Sequence, residues 1–224
     1  MNKTNIIAID GPAGSGKSTV AKEAARRLGW LYVDTGAMYR ALTLKAMKQG
    51  LGLSDEKALL GLSKDAKITL KNNDGNLKVF LDKEEVTEDI RSMEVTSKVK
   101  HIAALKGVRK NMVLLQRSLA AGAPRGAVLE GRDIGTVVFP EAGYKFYLDA
   151  GVSVRSERRF KELRDKKIKV SREEVSEDVR SRDAADISRK EGPLRKASDA
   201  IFIDTSDMTA NQVVEKILGY VGKK

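Results

Sequence analysis

A glycine-rich stretch near the amino terminus, GPAGSGKS at 11–18, places three glycines ahead of a lysine and a serine. The spacing fits the P-loop pattern of a glycine, four further residues, and then Gly-Lys-Ser or Gly-Lys-Thr. The glycines allow backbone N–H groups to approach phosphate oxygens without obstruction by a Cβ atom. Lys17 offers a mobile positive charge to the β- and γ-phosphates, and the Ser18 hydroxyl can ligate Mg²⁺. The pattern predicts a site for a nucleoside triphosphate.

The residues expected to hold this triphosphate extend from the loop into the following helix, whose positive N-terminal end favours a bound anion. They are Gly11, Pro12, Ala13, Gly14, Ser15, Gly16, Lys17, Ser18 and Thr19. A glycine turn with a purely structural role is the alternative. The loop lies between an apolar run and a helical pattern, which is where a phosphate-binding loop is expected, and this favours the functional interpretation.

A second polar group lies in DTGAMYR at 34–40 and follows another apolar run. If that run is a strand, Asp34 and Thr35 lie at its carboxyl end, the edge at which open α/β sheets bind ligands. Arg40 lies one to two turns into the next helix and could reach an anion held there. Alternatively, Asp34 and Thr35 only cap that helix.

The stretch EGRDIGT at 130–136 ends a third apolar run in the same way. Arg132 and Asp133 are adjacent opposite charges on a turn that a glycine precedes. A surface ion pair would explain them, but Gly131 and Gly135 favour a close approach of the backbone instead. We therefore predict a second ligand-contacting turn.

Arginines at helical spacing occur in RSRDAADISR at 180–189. Arg182, Asp186 and Arg189 are spaced i, i+4 and i+7, so all three are predicted to share one helix face. Such a face could hold a phosphate and a sugar hydroxyl together. An exposed helix stabilised by ion pairs is the alternative.

A similar group lies in VRSERRF at 154–160, where Arg155, Arg158 and Arg159 are spaced i, i+3 and i+4. Arginines in this arrangement could close over a transferring phosphoryl group. A solvated charged face is again the alternative. We expect a lid over about 155–190.

Five short apolar runs predict the strands that would position these groups, at 5–10, 30–33, 127–130, 144–149 and 200–204. Helical segments lie between them, which is the alternation typical of a doubly wound α/β fold with a parallel five-stranded sheet. The helix after the P-loop is expected to end at Gly29, and Thr209 to cap a last amphipathic helix.

One stretch breaks this alternation. Residues 67–87 show β periodicity on both sides of an Asn/Asp/Gly turn, which predicts an antiparallel hairpin. Apolar residues at helical spacing predict helices over roughly 88–121. We interpret 62–105 as a small subdomain of hairpin and helix, inserted into a core formed by 1–61 and 106–224.

Composition narrows the possible functions. The chain has no cysteine and a single histidine, His101, so disulfides, thiolate chemistry and multi-histidine metal sites are excluded. The net charge of +11 fits a nucleic acid, a small polyanion or a generally basic surface, and few aromatic residues are present to stack on bases. Neither a membrane span nor a signal peptide is indicated. We expect a cytoplasmic monomer without membrane contacts and without nucleic acid as its main partner.

In their order along the chain these motifs resemble those of the bacterial cytidylate (CMP/dCMP) kinases, P-loop kinases of nucleoside monophosphates. The resemblance covers nearly the whole chain and rests on IDGPAGSGKST, DTGAMYR, the hairpin, GVRKNMVLLQR, LEGRDIGTVVFP, RSRDAADISR and IFIDTSDMTANQVVEKI. A P-loop alone would indicate only a large superfamily, whereas its combination with GRDIGTVVFP is far more specific. The resemblance implies phosphoryl transfer from ATP, with Mg²⁺, to CMP or dCMP.

The resemblance also implies a role for each site residue, with 62–105 as the monophosphate-binding subdomain. The acceptor phosphate would be held by Thr35, Arg40, Arg132 and Arg189. The sugar would be contacted by Arg182 and Asp186, and cytosine by Arg109 and Asp133. Catalysis would rest on Lys17, Arg132 and the lid residues Arg155, Arg158 and Arg159. Apart from the resemblance, the chemistry of phosphoryl transfer predicts that Asp34 orients a magnesium-bound water.

The chemistry of cytosine agrees with these roles, because its N4 amino group is a donor that a carboxylate such as Asp133 can accept. Arg109 can donate to the base's O2 and N3 atoms, and uracil would mismatch both partners. One departure concerns this pocket. The family commonly has a base-contacting serine nine residues before Arg109, and this chain has Lys100 there, with Ser97 as a possible substitute.

Two other classes of function remain open at the level of the sequence. One is a P-loop kinase for UMP, AMP or a small hydroxylated metabolite. The other is a P-loop module that binds RNA through its positive charge, which would show salt-sensitive RNA affinity without acceptor-dependent ATP consumption. The acidic residues Asp133 and Asp186 in the predicted cleft count against RNA.

Overall fold

The computed structural model describes residues 4–73 and 76–222. It contains strands and α-helices in alternation, together with a short 3₁₀ segment and a short π-helical segment. In chain order the strands and α-helices are β1 (Ile6–Asp10), α1 (Lys17–Leu28), β2 (Leu31–Asp34), α2 (Thr35–Lys48), α3 (Glu56–Asp65), β3 (Ile68–Asn73), β4 (Asn76–Leu81), β5 (Glu84–Glu85), α4 (Met93–Ala103), α5 (Lys106–Ala121), β6 (Ala127–Gly131), β7 (Tyr144–Asp149), α6 (Val152–Asp165), α7 (Arg172–Ser188), β8 (Ile201–Asp204) and α8 (Ala210–Val221).

The central sheet has five parallel strands in the order β2-β6-β1-β7-β8, which is a doubly wound arrangement. Each strand lies within one residue of its predicted position at both ends. The inner strands are apolar on both faces because helices cover both sides of the sheet, and Ile7, Ala8 and Ile9 have no exposed surface. The predicted fold class is confirmed.

The helix ends agree with the capping residues in the sequence. Helix α1 ends at Gly29, whose left-handed backbone (φ 65°) allows its N–H to bond the carbonyls of Ala25 and Arg26. Helix α8 begins after Thr209, which forms a capping box with Gln212. Both helices pack on the sheet, with Val213, Val214 and Ile217 buried in the core on α8.

The stretch that breaks the alternation forms a small antiparallel sheet in the order β3-β4-β5. The hairpin of β3 and β4 is confirmed, residues 74 and 75 of its predicted turn lie outside the described residues, and the third strand β5 was not predicted. Helices α4 and α5 occupy the region predicted to be helical. The limits proposed for the inserted subdomain fall inside α3 at residue 62 and at the start of α5. That division remains a prediction.

The predicted lid corresponds to α6 and α7, two helices that pack against each other. Helix α7 begins with a capping box between Ser171 and Glu174. Across the described ranges 4–73 and 76–222, none of the helices is long and apolar enough to cross a membrane.

Candidate active site

A cavity of about 710 Å³ lies at the carboxyl edge of the parallel sheet, between the P-loop and helices α4, α5, α6 and α7. It brings together most of the residues that the sequence singled out, although they are spread over the chain from the first strand to the end of α7. Those that line it are Ala13, Gly14, Ser15, Gly16, Lys17, Ser18, Thr19, Asp34, Thr35, Arg40, Arg109, Arg132, Asp133, Arg158, Arg159, Arg182, Asp186 and Arg189. Gly11, Pro12 and Arg155 lie outside this lining.

The P-loop depends on glycine for two different reasons. A Cβ atom on Gly11 would lie 2.0 Å from the carbonyl oxygen of Leu148, so only glycine fits between the loop and β7. Gly14 has φ 75°, in the left-handed region, and a Cβ there would meet the backbone of Arg155 at 2.8 Å. The loop is therefore fixed from both sides, with its amides at the N-terminal end of α1.

Lys17 is buried at the first position of α1 and folds back over the loop. Its Nζ donates to the carbonyl oxygen of Pro12 at 2.6 Å and to Ser15 Oγ at 3.3 Å. Burial, followed by the charge of Arg132, lowers the pKa of Lys17 to about 7. A phosphate placed in this site would favour the charged ammonium, which is the form that stabilises a transferring phosphoryl group.

Glu130 is a buried carboxylate at the start of EGRDIGT, and the sequence motif alone predicted no role for it. Ser18 Oγ donates to its Oε2 at 2.8 Å, and the Tyr32 hydroxyl donates to its Oε1. Burial, followed by the charge of Asp34, raises the pKa of Glu130 above its usual value. An acidic residue in an otherwise apolar buried strand was the signal that could have found it.

Asp34 both caps a helix and lines the cavity, so the two interpretations of this residue are compatible. Its Oδ1 accepts the N–H of Ala37 at 2.7 Å, and its Oδ2 lies 3.1 Å from Nη2 of Arg40. Thr35 donates its hydroxyl to the carbonyl oxygen of Glu130 at 2.7 Å, which joins the ends of the neighbouring strands β2 and β6.

Arg132 and Asp133 do not form the surface ion pair considered from the sequence, because each pairs with a different partner in the cavity wall. Arg132 Nε donates to Asp186 Oδ2 at 2.6 Å. Asp133 is buried, accepts a hydrogen bond from Nη2 of Arg109, and lies 3.8 Å from Nη2 of Arg189. Two arginines therefore converge on the carboxylate of Asp133.

Asp10, at the end of β1, holds the turn that carries Arg132 and Asp133. Its two carboxylate oxygens accept the N–H groups of Ile134 at 2.8 Å and Gly135 at 2.7 Å. Burial, only partly offset by these two hydrogen bonds, raises the pKa of Asp10 to about 6. Asp10 lies immediately before the P-loop in IIAID, and no motif in the sequence marked it as functional.

Arg182 and Asp186 lie on α7 and face the cavity, but Arg189 lies one residue beyond the helix end. Its backbone is extended (φ −62°, ψ 141°), so the prediction that the three share one helix face is wrong for Arg189. Its guanidinium still reaches the site, with Nη1 3.4 Å from Asp186 Oδ1 and Nε bonded to the carbonyl of Gly192 at 2.6 Å. Burial alone would raise the pKa of Asp186. The positive charges of Arg132, Arg189 and Arg182 have the larger combined effect and hold that pKa below its usual value.

The three arginines of α6 do not act as one group in this structure. Arg158 and Arg159 line the cavity, and Arg158 donates to the side chain of Thr205 at 3.0 Å. The side chain of Arg155 is only 5% exposed, and it donates instead to the backbone carbonyls of Ala150 and Ala13. Arg155 therefore does not share the cavity wall with Arg158 and Arg159, which differs from the expectation that the three arginines act together.

Both residues considered for the missing base-contacting serine line the same cavity from α4. Ser97 donates its hydroxyl to the carbonyl of Glu94 at 2.9 Å, whereas the Lys100 side chain is exposed. His101, the neighbouring residue, is exposed and lies outside the lining.

The sequence model of cytidylate kinase matches residues 7–223. The chain belongs to the cytidylate kinase family. A cytidylate kinase of Caldanaerobacter subterraneus subsp. tengcongensis is 45% identical over 223 residues, which are 100% of this chain and 97% of that protein. One of Halalkalibacterium halodurans is 46% identical over 224 residues and covers both chains completely.

Solved structures share the fold of this cytidylate kinase family member at much lower sequence identity. A crystal structure of a Thermus thermophilus protein superposes with a TM-score of 0.51 at 20% identity, over 98% of this chain and 97% of that one. A gluconokinase of Sinorhizobium meliloti gives 0.50 at 13% identity, over 98% and 92%. These likenesses show the fold alone.

Proposed function

We propose that this chain transfers the γ-phosphoryl group of ATP to the phosphate of CMP or dCMP, giving ADP and CDP or dCDP. One observation carries the proposal. A single cavity has the P-loop and Lys17 on one side and a cluster of arginines and aspartates on the other. Such a cavity can hold a triphosphate and a monophosphate with their phosphates facing each other, away from bulk water.

The donor half would bind ATP through the amides of the loop, the positive end of α1 and Lys17. Lys17 is already held over the loop by its bond to Pro12, so little reorganisation is needed to place its charge on the β- and γ-phosphates. Arg158 and Arg159 add positive charge from α6 to the same cavity. We assign them to the closing lid, where they would stabilise charge on the transferring group.

Mg²⁺ fits this half because the groups near the loop are hard oxygen donors. Ser18 would hold the ion together with the phosphates, and the carboxylates of Glu130 and Asp34 would orient its water ligands. No group of three or more acidic or histidine side chains able to hold a metal occurs in residues 4–73 and 76–222. When bound, Mg²⁺ would neutralise charge on the triphosphate.

The acceptor half would hold the monophosphate with Thr35, Arg40, Arg132 and Arg189, and its sugar with Arg182 and Asp186. The phosphate of CMP is already anionic, so no general base is required before attack. Rate enhancement would then come from alignment and from cationic groups. The Arg132–Asp186 pair keeps both side chains in place before substrate binds.

Asp133 and Arg109 are well placed to recognise cytosine. Arg109 is buried, donates to the carbonyl of Ala103 at 3.0 Å, and lies over the Tyr39 ring at 5.5 Å. Its hydrogen bond to Asp133 fixes the carboxylate, which could accept from the N4 amino group of cytosine while Arg109 donates to N3 or O2. Uracil presents O4 in place of the N4 amino group and N3–H in place of the N3 acceptor. It would mismatch Asp133, and also Arg109 where that residue donates to N3, whereas O2 is common to both bases.

The test is Mg²⁺-dependent ADP production from ATP with CMP, dCMP, UMP, AMP and no acceptor compared in parallel. We expect rapid turnover with CMP and dCMP alone. Equal turnover with UMP would leave the reaction type intact and contradict the assignment of Asp133 and Arg109. ATP consumption independent of any acceptor, together with salt-sensitive RNA affinity, would favour an RNA-binding module instead.

A monomeric state, a cytoplasmic location and the absence of nucleic acid as a main partner stay predictions. Size-exclusion chromatography with light scattering would test the first of them directly.

A further inference from the structure

Ala13, at the apex of the P-loop, has both of its backbone polar groups bonded to side chains of the lid helices. Its N–H donates to Asp183 Oδ1 at 3.3 Å, and its carbonyl accepts from Arg155 Nη1 at 3.0 Å. Asp183 lies on α7 and Arg155 on α6. Each lid helix is therefore hydrogen-bonded to the loop at Ala13.

The two side chains also bind each other. Arg155 Nη1 donates to Asp183 Oδ2 at 2.5 Å, and Arg155 Nε donates to the carbonyl of Ala150 at 2.9 Å. Their side chains are only 5% and 13% exposed, so this ion pair is shielded from water and salt. The backbone of Arg155 packs directly on the loop, since a Cβ on Gly14 would meet it.

The pair lies behind the loop, because Arg155 does not line the cavity that holds the other site residues. Ala13 N–H is occupied by Asp183, so the phosphates would be bound by the amides that follow it. The carboxylate of Asp183 is hydrogen-bonded to Ala13 and Arg155, and it acts on Arg132 of the monophosphate side only through its charge. Asp186, one turn further along α7, is hydrogen-bonded to Arg132.

We propose that Arg155 and Asp183 are positioning residues for the donor site. They hold the apex of the P-loop in its phosphate-binding conformation from outside the cavity, and α7 thereby fixes the donor loop through Asp183 and the acceptor site through Asp186. The inference rests on the proposed function for its substrates. It assigns to Arg155 a role distinct from that of the lid arginines Arg158 and Arg159.

The experiment measures binding of the two substrates separately by calorimetry, using a non-hydrolysable ATP analogue with Mg²⁺ and CMP. The variants are Asp183→Asn, which keeps an acceptor for Ala13 but loses the charge, and Arg155→Lys, which keeps the charge but loses the fork of donors. Glu177→Gln and Arg180→Lys are matched controls, because both residues lie on the same helix, α7, and are exposed to solvent. Circular dichroism and thermal unfolding establish that each variant is folded.

We expect both variants to weaken the ATP analogue by about tenfold, since hydrogen bonds to charged groups are lost behind the loop. CMP affinity should change by less than about twofold, and in turnover the KM for ATP should rise more than the KM for CMP. The controls should match the wild type. Equal weakening of both substrates, or unchanged affinity for the ATP analogue, would overturn the proposal. Absence of CMP binding by the wild type would instead refute the proposed function.

Discussion

Ser18 donates its hydroxyl to the carboxylate of Glu130 at 2.8 Å, and this bond joins the P-loop helix α1 to strand β6. The two residues are 112 positions apart in the chain. Tyr32 donates to the other carboxylate oxygen from β2, so three elements meet at Glu130. The hydroxyl that would ligate Mg²⁺ is thus oriented by a buried acid.

Glu130→Gln should weaken the use of Mg²⁺ without unfolding the protein. The amide keeps the size of the side chain but has one acceptor oxygen in place of two. It therefore cannot accept from Ser18 and Tyr32 through separate oxygens, as the carboxylate does. Because partners of metal-binding groups commonly contribute 10–100-fold, we expect the Mg²⁺ concentration for half-maximal rate to rise by about tenfold or more. Steady-state kinetics over a range of Mg²⁺ concentrations measures this, with the exposed Glu84→Gln as the control. An unchanged Mg²⁺ dependence would contradict the role of Glu130.

Lys17→Ala should remove turnover while the fold persists. The variant loses the charge aimed at the transferring group, and removal of such a donor typically costs about 10²–10³-fold in rate. Measurements of ADP production and of far-ultraviolet circular dichroism give the two readouts. Lys216→Ala, on the exposed surface of α8, should behave as the wild type. Near-normal activity of Lys17→Ala would refute the P-loop assignment.

Asp186→Ala and Arg182→Ala should weaken CMP far more than ATP. Both residues line the part of the cavity that we propose binds the acceptor, and removal of Asp186 also leaves Arg132 without its carboxylate partner. We expect the KM for CMP to rise by about tenfold or more, and the KM for ATP by less than about twofold. The measurement is a pair of substrate titrations for each variant. Equal losses for the two substrates would argue against contacts with the sugar.

Asp133→Asn should shift the preference of the enzyme from CMP toward UMP. The amide can donate to O4 of uracil, whereas the native carboxylate can only accept. Overall activity should fall because Arg109 and Arg189 lose the charge they face, so the informative quantity is the ratio of kcat/KM for the two substrates. We expect that ratio to move by about tenfold or more toward UMP. An unchanged ratio would place base recognition elsewhere, with Lys100 as the next residue to substitute.

We expect the titration of Asp10 to lower the free energy of unfolding as pH rises from about 4 to 6. Its pKa is raised from 3.8 to about 6 in the folded state, so the folded protein holds a proton that the unfolded chain has released within this window. Above pH 6 the charged, buried Asp10 lowers the free energy of unfolding by about 3 kcal/mol, compared with a side chain that does not titrate. Urea unfolding of the wild type and Asp10→Asn at several pH values tests it. The wild type should lose stability relative to the variant up to pH 6, and parallel pH profiles would contradict the expectation.

The parallel sheet and the P-loop could be predicted because their signals are local. Buried strands appear as continuous apolar runs, and a phosphate loop requires its glycines and lysine at fixed spacing. All five strands were placed to within a residue. The short strand β5 was missed because two glutamates carry no β pattern and pair only where β4 offers an edge.

The partners of the site residues could not be predicted in the same way. Spacing placed Arg155 beside Arg158 and Arg159, but packing of α6 on the loop turned Arg155 toward Ala13 and Asp183. Helical spacing also extended α7 to Arg189, whereas the chain leaves the helix one residue earlier. Asp10 and Glu130 gain their roles from partners 98 to 125 residues away in the chain.

The sequence by itself determined the fold, the phosphate loop and the residue types gathered for a nucleotide acceptor, because periodicity and local motifs encode these. Only the tertiary structure decided which arginine faces the cavity and which faces backbone. That choice depends on burial: a charge removed from water must find a partner, and the available partner is set by which helices and strands meet.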